Sequence, residues 1–166
     1  NKLKSLCQPS LQYLSATCVV FYLDKNPFND YWINYCDEDT KALAIINHCG
    51  LIEKKNKDFP VYVAYYHKHD DDFFKPNNQS ALIKDARKAL NKVYKLRNDS
   101  LNDLLVKGVN VFNAKYAQPI LHPYIKDASY REYKAQKIHP NKNMPIFFSN
   151  MHCIYPEDRG QNYSLK

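Results

Sequence analysis

The stretch Lys41–Tyr66, KALAIINHCGLIEKKNKDFPVYVAYY, decides how this chain is read. Ala42–Ile46 is a short apolar run ending at Asn47-His48-Cys49-Gly50, the pattern of a strand that leaves a core at a turn. Glu53–Asp58 is charged and reads as a hairpin tip. Pro60–Tyr66 alternates and is rich in Val and Tyr, which suits a pleated, half-buried strand. The stretch therefore predicts a hairpin with an imidazole at its base, lysines at its tip and rings on its return strand. Lysines hold phosphates and rings stack on bases, so this hairpin is a candidate nucleic-acid surface.

Upstream, Leu3, Leu6, Leu11, Leu14, Cys18 and Phe21 recur at helical steps and predict helix through about Val20. Asp24–Tyr35 mixes Pro27, Asn and aromatics and reads as irregular, with one short turn. Downstream, Ser80 is an N-cap candidate for a helix carrying Leu82, Ile83, Ala86, Leu90, Val93 and Tyr94 on one broad face. Asn98-Asp99-Ser100 should stop it, and a second short helix should run to Val106 with Gly108 as a left-handed stop. Val109–Phe112 and Pro119–Leu121 are strand candidates, Pro123–Asn143 a long basic connection, and Pro145–Tyr155 a returning strand. This order predicts one α+β domain over residues 1–166. Its body is a small, open, mostly antiparallel β-barrel with N-terminal helices and an inserted helical αβ appendage at about residues 66–108.

The bulk composition narrows the function classes. The 166 residues carry a formal charge of +7, which suits a polyanion partner, nucleic acid or an anionic membrane surface, as well as a merely soluble, lysine-coated surface. Three glycines leave no phosphate-cradling P-loop or dinucleotide fingerprint. No stretch is long and apolar enough to span a membrane. Five cysteines without framework spacing suit reduced thiols in the cytosol or nucleus. Sequons at Asn78, Asn98 and Asn162 support an alternative, a secreted or surface glycoprotein acting by protein–protein contact. No nucleophile elbow, paired-carboxylate motif or HExxH is present, so the expectation is a non-enzyme without metal or cofactor. His67-Lys68-His69 followed by Asp70-Asp71-Asp72 reads as a charged loop, because successive aspartates do not converge on one ion.

Four segments in order resemble the PAZ domain of Argonaute, Piwi and Dicer proteins, and Argonaute or Piwi more than Dicer. They are Cys7–Val20, Lys41–Val63 with its His-Cys-Gly turn, Gly108–Leu121, and Ile146–Gln161. The resemblance spans roughly half the chain. It implies a PAZ-like barrel whose cleft takes the 3′ end of a single-stranded small RNA within a larger silencing protein. Position by position, it implies that His48 binds phosphate and that Lys54, Lys55 and Lys57 form the basic tip. Phe59 or Tyr62 stands for the aromatic opening the return strand, and Phe73 or Phe74 for the appendage aromatic. Phe148 and Met151 would lie near the terminal sugar. Leu101–Lys107 has no ring where the family's appendage carries two, and Tyr94 is the ring that could replace one. That departure supports a third reading, a PAZ-fold scaffold that no longer binds RNA.

Overall fold

A computed structural model of the chain describes residues 12–51, 58–99 and 102–120. The chain divides into two compact units, Leu14–Ala117 and a second that combines Asn1–Tyr13 with Gln118–Lys166. In the second unit, Ile120 N–H donates to Gln12 O at 2.9 Å.

Five strands form one open sheet: β1 (Tyr13–Leu23), β2 (Trp32–Asn34), β3 (Ala44–Asn47), β4 (Phe59–His67) and β5 (Val106–Pro119), in the spatial order β2-β3-β4-β1-β5. The pairs β2–β3, β3–β4 and β1–β4 are antiparallel. β5 also opposes β1, since Ser15 meets Lys115 while Thr17 meets Asn113. One helix, α1 (Gln79–Asn98), follows β4. The predicted α+β class and antiparallel sheet are present. The described strands make an open sheet, not a closed barrel.

The sheet sorts its residues by parity. Val19, Phe21 and Leu23 of β1, Ile45 of β3, and Val61, Val63 and Tyr65 of β4 share one face. Against them α1 lays Leu82, Ala86, Ala89, Leu90 and Val93, forming a single core. The two alanines let the helix approach closely, and each buried Leu or Val contributes about 1.5–3 kcal/mol. α1 therefore does not stand off as an inserted appendage. It covers one face of the sheet and supplies a third of the buried core residues.

α1 stops where the sequence indicated. Asp99 adopts φ 48°, ψ 42°, and its N–H donates to Lys95 O. A short polar side chain tolerates this left-handed conformation. Its start differs from expectation: the helix begins at Gln79 after a 3-10 turn at Pro76–Asn78, and Ser80 lies within it.

Two elements correct the sequence reading. Tyr13–Leu23 is a strand, not helix. Its true period is two, because Ser15 and Thr17 continue the buried row of Val19, Phe21 and Leu23. Polar side chains on the buried face hid that alternation, and the β-branched Thr17, Val19 and Val20 favour strand. The part of the expected N-terminal helix before Gln12 lies outside the described residues. The short helix expected to reach Val106 is absent from Asn102 onward, and β5 begins at Val106 instead. Gly108 lies within that strand without a positive φ. The two strands expected at Val109–Phe112 and Pro119–Leu121 belong to one long strand over its described length. The strand expected at Pro145–Tyr155 lies outside the described residues.

Candidate nucleic-acid interface

The predicted hairpin is formed by β3 and β4, with Asn47 opposite Val61. Asn47 is fully buried and fixes its end. Its Nδ2 donates to Asn26 Oδ1 at 2.8 Å and to Phe28 O, while its Oδ1 accepts from Cys49 N–H at 3.2 Å. That last bond caps the 3-10 turn His48–Gly50. Asn47 N–H donates to Tyr31 O, which ties the turn to the loop before β2. Gly50 allows this close approach: a Cβ there would stand 2.7 Å from Asn29 O and 2.9 Å from Tyr31 N.

The turn sets the half-buried His48 ring edge-on to Tyr62, with centroids 6.5 Å apart. Tyr62 lies on the sheet face opposite α1. A row crosses four strands there, Trp32–Ile46–Tyr62–Val20, and a second row, Asn34–Ala44–Ala64–Cys18, runs beside it with small side chains. Tyr66 stands beyond. Trp32 is 52% exposed and Tyr66 42% exposed. Val20 and Ala44 on this face are buried, so the open rings are those at its ends, Trp32 and Tyr66, on which flat bases can stack. Burial pushes the Tyr62 hydroxyl pKa up, helped by Cys18, Tyr22 and Cys49, so at neutral pH it keeps its proton as a hydrogen-bond donor.

The other sequence candidates do not gather at this point. Phe59 is on the α1-facing side of β4, packed against the core. Tyr94 is only 8% exposed, within the same core, with the Lys25 ammonium 5.7 Å from its ring centroid. Phe73 lies at the far end of the sheet, edge-on to Phe74, with the Lys41 ammonium 4.7 Å from its centroid. Lys54, Lys55, Lys57, Phe148 and Met151 lie outside the described residues.

Charge is distributed unevenly. The described residues hold 12 Lys and Arg against 12 Asp and Glu, so the whole +7 belongs to residues outside them, Lys54, Lys55 and Lys57 included. Within the body, cations are paired across elements: Lys88 and Lys92 of α1 with Asp37 and Asp39, Arg97 with Asp30, and Lys41 with Asp71.

The far end of the sheet holds a polar cluster that the sequence reading passed over as a loop. His67 Nε2 lies 2.9 Å from Thr17 Oγ1, and His69 Nδ1 bonds Ser15 Oγ. Thr17 donates to Asn113 Oδ1 at 2.7 Å, and Ser15 to Lys115 O at 3.0 Å. His67 stacks on Phe74 beside an open cleft of about 510 Å³. The signal was present: two histidines at a strand end, and two hydroxyls in the buried row of β1. Among the described residues, no group of three His, Cys, Asp or Glu side chains could hold a metal ion, and no helix is long and apolar enough to cross a membrane. Cys18, Cys36 and Cys49 are free thiols.

No family model matches this chain, and no curated protein does. Among solved structures, a crystal structure of reduced UDP-galactopyranose mutase is similar over 66% of this chain and 23% of its own, at 14% identity and TM-score 0.48. The chain thus spans about a quarter of that protein, and a likeness at this level carries no argument about fold or chemistry.

Proposed function

We propose that this chain is a binding module, without catalysis or cofactor of its own, that holds the 3′ end of a single-stranded small RNA. The PAZ resemblance implies this role, in a cytoplasmic or nuclear silencing protein whose other domains are its partners. In this reading the open sheet is the larger part of a PAZ-like barrel.

The observation that carries the proposal is the His48–Tyr62 pair, set at the base of the hairpin whose tip holds Lys54, Lys55 and Lys57. An imidazole and a phenol hydroxyl are phosphate donors, and the rings beyond them offer stacking to unpaired bases. The body is neutral, so in this reading phosphate neutralisation falls to Lys54, Lys55 and Lys57. Two to four such contacts give a salt slope of about −0.7 per contact.

Fluorescence anisotropy with 3′-hydroxyl, 3′-phosphate and blunt-ended RNAs tests the reading. A preference for the free 3′-hydroxyl strand is expected, and equal affinity for all three refutes end recognition. His48→Ala should weaken binding by about 1–2 kcal/mol, roughly tenfold, with unchanged thermal stability.

One observation favours the scaffold reading instead. Tyr94 is sealed in the core and Phe73 lies at the opposite end of the sheet, so neither ring joins His48. RNA binding insensitive to His48→Ala would select it. The glycoprotein alternative meets an obstacle at Asn98, whose Nδ2 gives both protons, to Pro27 O at 2.8 Å and Tyr94 O at 2.9 Å. A glycan on that nitrogen would displace one of them.

A further inference from the structure

His67 closes β4 with both ring nitrogens engaged. Nδ1 lies 2.7 Å from Lys68 O and Nε2 lies 2.9 Å from Thr17 Oγ1. A carbonyl oxygen only accepts, so Nδ1 carries a proton. Thr17 has one hydroxyl proton; in the arrangement where that proton goes to Asn113 Oδ1 at 2.7 Å, Nε2 is the donor to Thr17. These three bonds close together only when His67 is an imidazolium. Its stacking agrees: the ring lies flat on Phe74, with centroids 3.9 Å apart and planes 6° apart, a placement in which the negative face of a phenyl ring favours a cation.

Removing the Nε2 proton leaves one other closed arrangement. Nε2 then accepts from the Thr17 hydroxyl, and Thr17 has only lone pairs to turn toward Asn113. The Asn113 amide must rotate by half a turn to offer Nδ2–H. Thr17 is 0% exposed, so water does not take over the broken bond. Asn113 itself is exposed on β5, the edge strand among the described residues, next to Phe112 at 57% exposure. As the amide turns, its outer half changes from NH₂ to C=O.

We propose that His67, Thr17 and Asn113 form a hydrogen-bond relay whose direction reverses when His67 gives its Nε2 proton to solvent: the Thr17 hydroxyl turns to Nε2, and the outward half of Asn113 on β5 changes from hydrogen-bond donor to acceptor. The neighbouring Ser15 bridge has no such freedom. It donates to a backbone carbonyl, Lys115 O, which cannot exchange roles, so His69 Nδ1 stays the donor in that pair.

The charged groups around His67 are mixed in sign. Asp71 lies across the cleft in an ion pair with Lys41, and the His67 charge helps hold the Asp71 carboxyl low. Asp37, Glu38 and Tyr66 line the same cleft, Lys68 follows on the chain, and Lys115 and His69 adjoin through Ser15.

The test uses the full chain, with His67 ring nitrogen signals and Asn113 side-chain amide signals followed by NMR from acid to mildly alkaline pH. The expected result is that both sets change together, with one midpoint. Asn113 signals that stay flat while the ring titrates overturn the proposal. In Thr17→Val the ring should still titrate and Asn113 should no longer follow it; Asn113 that still follows the ring also overturns the relay. Should Thr17→Val fail to fold, Thr17→Ala decides by the same comparison: Asn113 signals that no longer follow the ring support the relay, and signals that still follow it overturn it.

Discussion

The two ends of the sheet use polar side chains in opposite ways. At the hairpin end, Asn47 spends its bonds largely on the backbone, on Phe28 O and Cys49 N–H, with Asn26 as its one side-chain partner. At the far end, hydroxyl, imidazole and amide groups bond one another across β1, β4 and β5. Backbone groups have fixed donor and acceptor roles, whereas hydroxyls, imidazoles and amides can exchange them. The hairpin end is therefore built to hold one geometry, as the proposed binding role of its ring pair requires. At the far end the His67–Thr17–Asn113 chain keeps its connectivity while its protons move, which suits response.

The sharpest way to break this contrast is Asn47→Ala. The substitution strands the Phe28 carbonyl in a buried site, removes the partner of the Cys49 N–H and opens a cavity. We expect a loss of about 3 kcal/mol by chemical denaturation. His48 should lose its set position at the same time, so RNA affinity should fall in a protein that is still folded. Unchanged affinity in a folded Asn47→Ala variant would separate the turn from the binding site.

Gly50→Ala comes next. Its Cβ meets backbone atoms of residues 29–31, and backbone can give way only by moving the turn. The expected cost is about 2 kcal/mol, measured by the same denaturation series. At the far end, Thr17→Val keeps the volume and removes a hydroxyl whose two partners both have exposed sides. About 1 kcal/mol is expected. Should Thr17→Val cost as much as Asn47→Ala, the two ends are equally rigid and the contrast fails.

How much of this was legible in the sequence follows the same division. The hairpin was readable because its apolar run, turn and alternating strand are local and agree with one another. The helix Gln79–Asn98 was readable because its apolar face is wide and its stop falls at Asn98-Asp99. The strand Tyr13–Leu23 was misread because Ser15 and Thr17 occupy buried positions that only the far-end histidines explain, and those lie some fifty residues away. Periodicity sees apolar side chains and is blind to a buried polar row. The site divides likewise. His48 and Tyr62 were placed by adjacency within one hairpin. Phe73 and Tyr94 were assigned to an appendage, and no local signal tells a helix that stands off from one that lies down on the sheet.

The smallest effect expected is an acid response confined to the far end. The Asp71 carboxyl is held below its ordinary range first by the Phe73 N–H, and then by Lys41 and the charge on His67. Asp39 is held low first by the Tyr35 hydroxyl, then by Lys92 and Lys88. A carboxyl whose folded pKa is depressed adds stability that is present above its unfolded pKa, near 4, and is lost as pH falls through the lower folded value. Both groups are largely solvated and their ion pairs are weak, so the loss should be slight and smaller still at high salt. It should also be local. Amide protection of Phe73 and Phe74, measured by hydrogen exchange and corrected for intrinsic rates, should drop between about pH 5 and pH 3. Protection of Cys49 and Leu51, whose N–H groups bond Asn47 Oδ1 and His48 O, should hold over the same interval, because neither acceptor titrates there. A parallel loss at both ends would show that acid loosens the whole sheet, and that the division between a fixed end and a responsive one does not describe this protein.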